Sequence, residues 1–132
     1  MSERRPRLEG KVAIVTGAGT RGDGVGNGKA AAMLFAREGA KIVLVDVELA
    51  RAEETLAAIE SESGIASAFQ ADVTSDEQCK ALAEFAMTHY GRLDILDNNV
   101  GNSHRATVTE IDPADWDSIM ELNVKSMMLT SR

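Results

Sequence analysis

Six glycines crowd the first half of the stretch "TGAGTRGDGVGNGKAAAMLFAREGA", Thr16 to Ala40: five from Gly17 to Gly26, then Gly28. Glycine lets a backbone turn through positive φ and approach a ligand closely. A helix opening behind such a loop adds free N–H groups and a partial positive charge. The chemistry on offer is the cradling of a phosphate; the plain alternative is a connecting loop. What flanks the loop favours the cradle. "KVAIVT", Lys11 to Thr16, is a short apolar run suited to a buried strand. "GKAAAMLFAREG" reads as a helix rich in alanine, with Gly39 placed to cap its end. A glycine loop between a strand and a helix is the setting of a dinucleotide fingerprint.

Asp46 ends the next apolar run, "AKIVLVD", eighteen residues after Gly28. A carboxylate there can accept hydrogen bonds from the adenosine ribose and would repel a 2′-phosphate, which favours NAD over NADP. It can also cap the following helix, and the two roles are compatible. Arg21, inside the loop, is the residue that would argue for NADP; solvent or diphosphate contact suits it better.

Other reactive side chains point to little. Cys79 is the only cysteine, so the chain has neither a disulfide framework nor a cysteine-rich metal site. His89 and His104 lack a second ligand at useful spacing, and no metal is expected. Glu48, Glu53, Glu54, Glu60 and Glu62 read as a solvated helix face. Trp116, Ile119, Met120, Val124, Met127 and Met128 fall on helical spacings that suit core packing.

The elements that would position these residues alternate along the chain. "VELARAEETLAAIESESG" is a second helix, closed by Gly64. "IASAFQADV" is a third strand ending near Asp72. Ser75 and Gln78 form a capping box for a helix running to Tyr90, where Gly91 ends it. "RLDILDNNVG" is the fourth strand, and "DPADWDSIMELNVKSMMLTS" a fourth helix with Asp112 as N-cap and Pro113 at its first position. Strands alternating with helices imply right-handed βαβ units, a parallel sheet and helices on both faces. Ligands of such sheets bind at the carboxyl ends of the strands, which selects Gly17 onward, Asp46, Asp72 and Asn98 to Gly101.

The chain has 132 residues, 44% of them hydrophobic, enough for one core. Residues 1–7 read as a flexible basic arm and residues 8–132 as one domain. No apolar run approaches the roughly 20 residues of a membrane span. A net charge of −7 argues against a nucleic-acid partner. A cytoplasmic location is the expectation.

"TGAG" with "GNGKAAAMLFAREGA", "VLVD", "ADVT", "GRLDILDNNVG" and "WDSIMELNVKSMMLTS" together resemble the short-chain dehydrogenase/reductase family, in its order, from Leu8 to Arg132. The resemblance implies a Rossmann-like, doubly wound parallel sheet in three α/β/α layers, with strand order 3-2-1-4. It implies a nicotinamide cofactor and hydride transfer between that cofactor and a secondary alcohol or ketone. By position, Gly17, Gly26, Asn27 and Gly28 match the fingerprint, and Thr20 and Arg21 lie toward adenosine. Asp72 and Val73 resemble the pair beside adenine. Asn98, Asn99, Val100 and Gly101 match the element beneath the nicotinamide ribose. Asn123 resembles the asparagine of the catalytic tetrad, and the fourth helix commonly packs against its counterpart in a homo-oligomer.

Three departures stand out. Eight residues separate Gly17 from Gly26, five more than the family's usual three; a second register would use Gly22 and Gly24, but Gly26 and Gly28 leave "FAREGA" at its usual distance. Asp97 occupies an apolar strand position. The family's catalytic serine and Tyr-x-x-x-Lys come after the point this chain reaches: Tyr90 is the only tyrosine, and Asp94 stands four residues on. The unit is therefore expected to be truncated after the fourth strand and its helix, inactive alone, and prone to self-association along an open strand edge. A non-catalytic dinucleotide-binding module is the second reading. A methyltransferase, which also places glycines after its first strand, is a distant third.

Overall fold

The computed structural model describes residues 4–132. Strands β1 (Val12–Thr16), β2 (Lys41–Asp46), β3 (Ile65–Gln70) and β4 (Ile95–Asp97) alternate with helices α1 (Asn27–Arg37), α2 (Leu49–Ser61) and α3 (Asp76–Tyr90). Then follow α4 (Pro113–Met120), a π-helical segment (Glu121–Lys125) and α5 (Ser126–Ser131). One four-stranded sheet runs in the order β3-β2-β1-β4, and each neighbouring pair is parallel. This is the expected Rossmann-like arrangement, and its physical origin is the apolar character of β1 and β2. Every residue of β1 is buried, and of β2 only Lys41 is exposed. Strands buried on both faces must be covered by helices on both. Ala13, Val15, Ile42 and Leu44 pack under α1 and α2, against Ala32, Ala52 and Ile59. Ile14, Val43 and Val45 point the other way, toward Cys79, Leu82 and Ala86 of α3 and Leu129 of α5.

Several elements differ from the sequence reading. β4 keeps only three residues. Just before it, the Asp94 N–H donates to Val12 O at 2.9 Å while the Asp94 side chain, paired with Arg92, accepts the Val12 N–H at 2.9 Å. β3 stops at Gln70, because β2 ends at Asp46 and offers one last acceptor, to Ala71 N–H at 3.2 Å. Half of the expected capping box forms: Ser75 Oγ accepts from Gln78 N–H, but Gln78 Oε1 accepts from Asp72 N–H instead of returning to Ser75.

The fourth helix is interrupted. Asn123 Nδ2 donates to the Ile119 carbonyl at 2.9 Å, a side chain inserted into the helical ladder where the backbone widens. Its apolar stripe is not core: Trp116, Met120, Val124, Met127 and Met128 are exposed, and Ser126 and Leu129 face inward instead. The acidic face of α2 is not wholly free either, since Glu62 pairs with Arg37 and Glu48 with Arg51. Residues 1–3 of the basic arm lie outside the described residues; Arg4 and Arg7 pair with Glu38.

The clamp at the foot of β1 has a pH signature. The Arg92 guanidinium, and after it the Val12 N–H, holds the Asp94 carboxyl at about 2, below its ordinary 3.8. A depressed carboxylate stabilises the fold above its unfolded value, and that contribution is lost as the pH falls through the folded one. Thermal melts from pH 5 to pH 2 should show Asp94→Asn losing less stability than the parent chain between about pH 4 and pH 2. Parallel curves would show that the clamp contributes nothing.

Candidate dinucleotide site at the strand ends

The site begins where β1 stops. Gly17 turns through φ +62°, and a Cβ on it would lie 3.0 Å from the Asn99 carbonyl. Both the turn and the close approach demand glycine. Gly28, in the first turn of α1, presses directly on this turn, for a Cβ there would sit 2.0 Å from Gly17 O. The helix mouth is thereby fixed against the strand end. Gly26 caps α1 without any side-chain hydrogen bond, so the first N–H groups of the helix have no side-chain acceptor at the N-cap.

The enlarged loop is closed off by one contact. Gly26 N–H donates to Thr20 Oγ1 at 3.0 Å, and Arg21 to Val25 bulge outward, all exposed. Gly22 and Gly24 lie in this bulge at positive φ, away from α1. The geometry thus adopts the register built on Gly26 and Gly28, and the extra residues leave the cradle's base intact.

Asp46 is 8% exposed and accepts two backbone hydrogen bonds. Gly19 N–H meets Oδ2 at 3.1 Å, and Glu48 N–H meets Oδ1 at 3.0 Å. A buried carboxylate without partners is costly, and these donors offset that cost while leaving other lone pairs free. Gly19 is as constrained as Gly28: its Cβ would fall 2.3 Å from Arg51 Cβ. Thr55 of α2 adds a fully buried bond from Oγ1 to Ala18 O at 2.8 Å. The loop is therefore fastened to α2 as well as to α1.

On the other side, Thr16 Oγ1 accepts from Asn99 N–H at 3.1 Å and donates to Asp97 O at 3.3 Å. Asn99 Nδ2 reaches Gly17 O at 3.4 Å. Asp72 Oδ1 accepts from both the N–H and the hydroxyl of Thr74, and Val73 is buried beside it. Asn123 holds the start of the following loop: Oδ1 accepts from Asn102 N–H at 3.0 Å, and Nδ2 donates to Asn102 O at 2.9 Å.

These features surround a cleft of about 380 Å³ at the carboxyl ends of the strands. Gly17, Thr20, Arg21, Gly26, Asn27, Gly28, Asp46, Asp72, Val73, Asn99, Val100 and Gly101 all line it. Asn123 does not, although its neighbour Leu122 does. The sequence reading missed Gly19, Thr16, Thr55 and Arg51. Gly19 and Thr16 stood inside the quoted stretch, but only the packing of α2 and β4 separates them from ordinary loop residues. The other reactive side chains lie elsewhere. Tyr90 pairs its hydroxyl with that of Ser67 on β3 at 2.6 Å, and His89 stacks on Phe85. Burial pushes up both the Cys79 thiol and the Asp97 carboxyl. No cluster of metal-ligating side chains occurs among the described residues, and none of their helices is long and apolar enough to cross a membrane.

The residues present fit an adenine dinucleotide. Gly19 and Gly28 pack so closely on Arg51 and on the Gly17 turn that neither has room for a Cβ, the α1 mouth has no side-chain cap, and the acidic acceptor Asp46 lines the same cleft. Comparison with known proteins bears on the family and the fold. The profile of the family described as short chain dehydrogenase matches residues 11–132. A 3-oxoacyl-[acyl-carrier-protein] reductase of Thermotoga maritima is 34% identical over 121 residues, covering 92% of this chain and 47% of that protein. The crystal structure of a short chain dehydrogenase from Mycobacterium smegmatis superposes with a TM-score of 0.89 at 33% identity, over 96% of this chain and 52% of the other. A 7α-hydroxysteroid dehydrogenase complexed with NADH and 7-oxo glycochenodeoxycholic acid superposes at 0.86 with 38% identity, over 96% and 48%. The chain thus spans about half the length of the relatives it matches. With its four parallel strands, its glycine turn packed under α1 and this match along nearly all its length, the chain belongs to the short-chain dehydrogenase family.

Proposed function

We propose that the cleft binds NAD and that the chain is the cofactor-holding part of an oxidoreductase acting on a secondary alcohol or ketone. The observation that carries the reading is the convergence of the glycine turn, the uncapped α1 mouth and Asp46 on one cleft. The amides around Gly26 to Gly28 face the diphosphate, where the helix terminus favours negative charge. Asp46, held by Gly19 and Glu48, presents its remaining lone pairs to the ribose hydroxyls and disfavours a 2′-phosphate. Asp72 and Val73 border the adenine, and Asn99 to Gly101 run beneath the nicotinamide ribose. The bound nicotinamide supplies a hydride acceptor or donor. Asn123 acts as a positioning residue that fixes the Asn102 backbone beside that end of the cleft. The NADH complex of the related hydroxysteroid dehydrogenase supports the choice of nucleotide.

The proton must come from elsewhere. Tyr90, the only tyrosine, is bonded to Ser67 on the outer strand and has Asp94 where the family's lysine would stand. We therefore assign these 132 residues binding and orientation but no general acid/base. The exposed stripe from Trp116 to Met128 is assigned to contact with a second copy.

Three outcomes follow. Calorimetry should find NAD bound more tightly than NADP, and Asp46→Ala should weaken NAD by about ten- to a hundredfold, as loss of hydrogen bonds to a charged acceptor requires. Tighter binding of NADP by the parent chain would overturn the assignment of Asp46. Incubated with NAD and secondary alcohols, the chain should produce no NADH absorbance; steady turnover would refute the missing-acid argument. In sedimentation velocity, the double variant Met120→Lys, Val124→Lys should run as a monomer where the parent chain associates, and unchanged association would place the contact elsewhere.

A further inference from the structure

The acceptor end of the cleft carries a cation that its sequence position does not advertise. Arg51, in the first turn of α2, lines the cleft beside Asp46. Its side chain is only 26% exposed, and its backbone and Cβ sit against Gly19, so it cannot drift from this wall. Its guanidinium reaches Glu48 Oε1 at 2.9 Å, and its N–H donates to Glu48 O at 3.1 Å. Glu48 is 59% exposed and stands outside the cleft, yet its own N–H is one of the two donors to Asp46. The turn between β2 and α2 thus carries a Glu48–Arg51 ion pair whose Glu48 backbone also donates to Asp46.

We infer that Glu48 is a specificity-determining positioning residue: by holding Arg51, it denies a nucleotide 2′-phosphate the cation that α2 anchors in the wall of the cleft. The inference rests on the dinucleotide reading above and adds a second component to cofactor choice. A 2′-phosphate would bring close to two negative charges to the side of Asp46. Arg21 and Arg51 are the cations among the residues lining the cleft. Arg21 sits on the exposed bulge, so holding a phosphate there would mean immobilising a solvent-exposed side chain. Arg51 is anchored on a helix, and its planar fork suits phosphate oxygens. To use that fork, NADP must first break the Glu48 pair. An exposed pair is weak, so the pair is a bias that adds to the repulsion by Asp46, not a lock.

Calorimetric titration of the chain with NAD and with NADP tests this. Glu48→Gln keeps size and polarity while removing the charge that holds Arg51. The ratio of NADP to NAD affinity should rise about three- to fivefold, the range expected on freeing a partly exposed ion pair. In the double variant Glu48→Gln, Arg51→Gln the rise should vanish. An unchanged ratio in Glu48→Gln overturns the inference. So does a rise that persists in the double variant, because it would then come from the lost negative charge alone. If the parent chain binds neither nucleotide, the dinucleotide reading itself fails, and this inference with it; NAD binding with an unmoved ratio sinks the inference only. Melting temperatures of both variants, expected within a few degrees of the parent, separate these outcomes from misfolding.

Discussion

The carboxylate of Asp46 is the point on which the site's shape depends. It is buried at the end of a strand, where an unpaired charge would be untenable. Two backbone amides make it tolerable, one from the glycine loop and one from the turn into α2. The relation runs both ways. Because the carboxylate needs those donors, the loop and α2 are drawn to it; because they are drawn, Gly19 meets Arg51 with no room for a Cβ. Thr55 closes the same joint from further along α2. A residue that sequence logic assigns to ligand contact is thus also the rivet between two elements that form the binding wall. That dual duty costs nothing in lone pairs, since a carboxylate can accept about four hydrogen bonds.

The same economy holds around Gly17. Thr16 and Asn99 tie the ends of β1 and β4 together, and Gly28 sets α1 on the turn between them. Each contact is backbone to backbone, or backbone to a short side chain, so the distances vary little with rotamer. A rigid rim of this kind lets an insertion be absorbed locally. Thr20 bonds to Gly26 across the extra residues, and the cradle's base keeps its geometry while Arg21 to Val25 project into solvent.

The fold was legible because its signal is redundant. β1 and β2 are unbroken apolar runs that only a sheet covered on both faces can bury, and the glycine and acid at their ends mark the rim. All twelve residues read as cleft-lining meet there, since strand ends in a parallel sheet are brought together by topology alone. Legibility fails where partners decide. At the start of β4 the Val12 N–H is taken by the Asp94 side chain, and β3 ends where β2 stops, neither of which local sequence reports. Gln78 Oε1 accepts from the Asp72 N–H in place of the Ser75 N–H, because both backbone donors lie within reach of the same side chain. The stripe from Trp116 to Met128 has core spacing, but spacing does not say whether the covering surface belongs to the same chain. Arg51 was invisible for a similar reason: a charged residue in the first turn of a helix is unremarkable until Gly19 and Glu48 are found to confine it.

What the 132 residues can do chemically follows from where their donors and acids lie. Orientation of a bound nucleotide needs fixed amides and an acceptor, and these stand on rigid elements. Proton transfer needs a group within hydrogen-bond reach of the substrate oxygen, with a pKa near the working pH. Burial pushes up the carboxyl of Asp97 at the end of β4. It is not in the cleft, and its backbone carbonyl, which accepts from Thr16, is what serves the rim. Tyr90 is held by Ser67 on the outermost strand. Asn123 binds a backbone segment and a helix carbonyl with its whole amide, which leaves it to shape the widened turn and not to carry protons. On the reading proposed above, the turns after β1 and β2 hold the nucleotide, and neither histidine nor tyrosine lines the cleft they form.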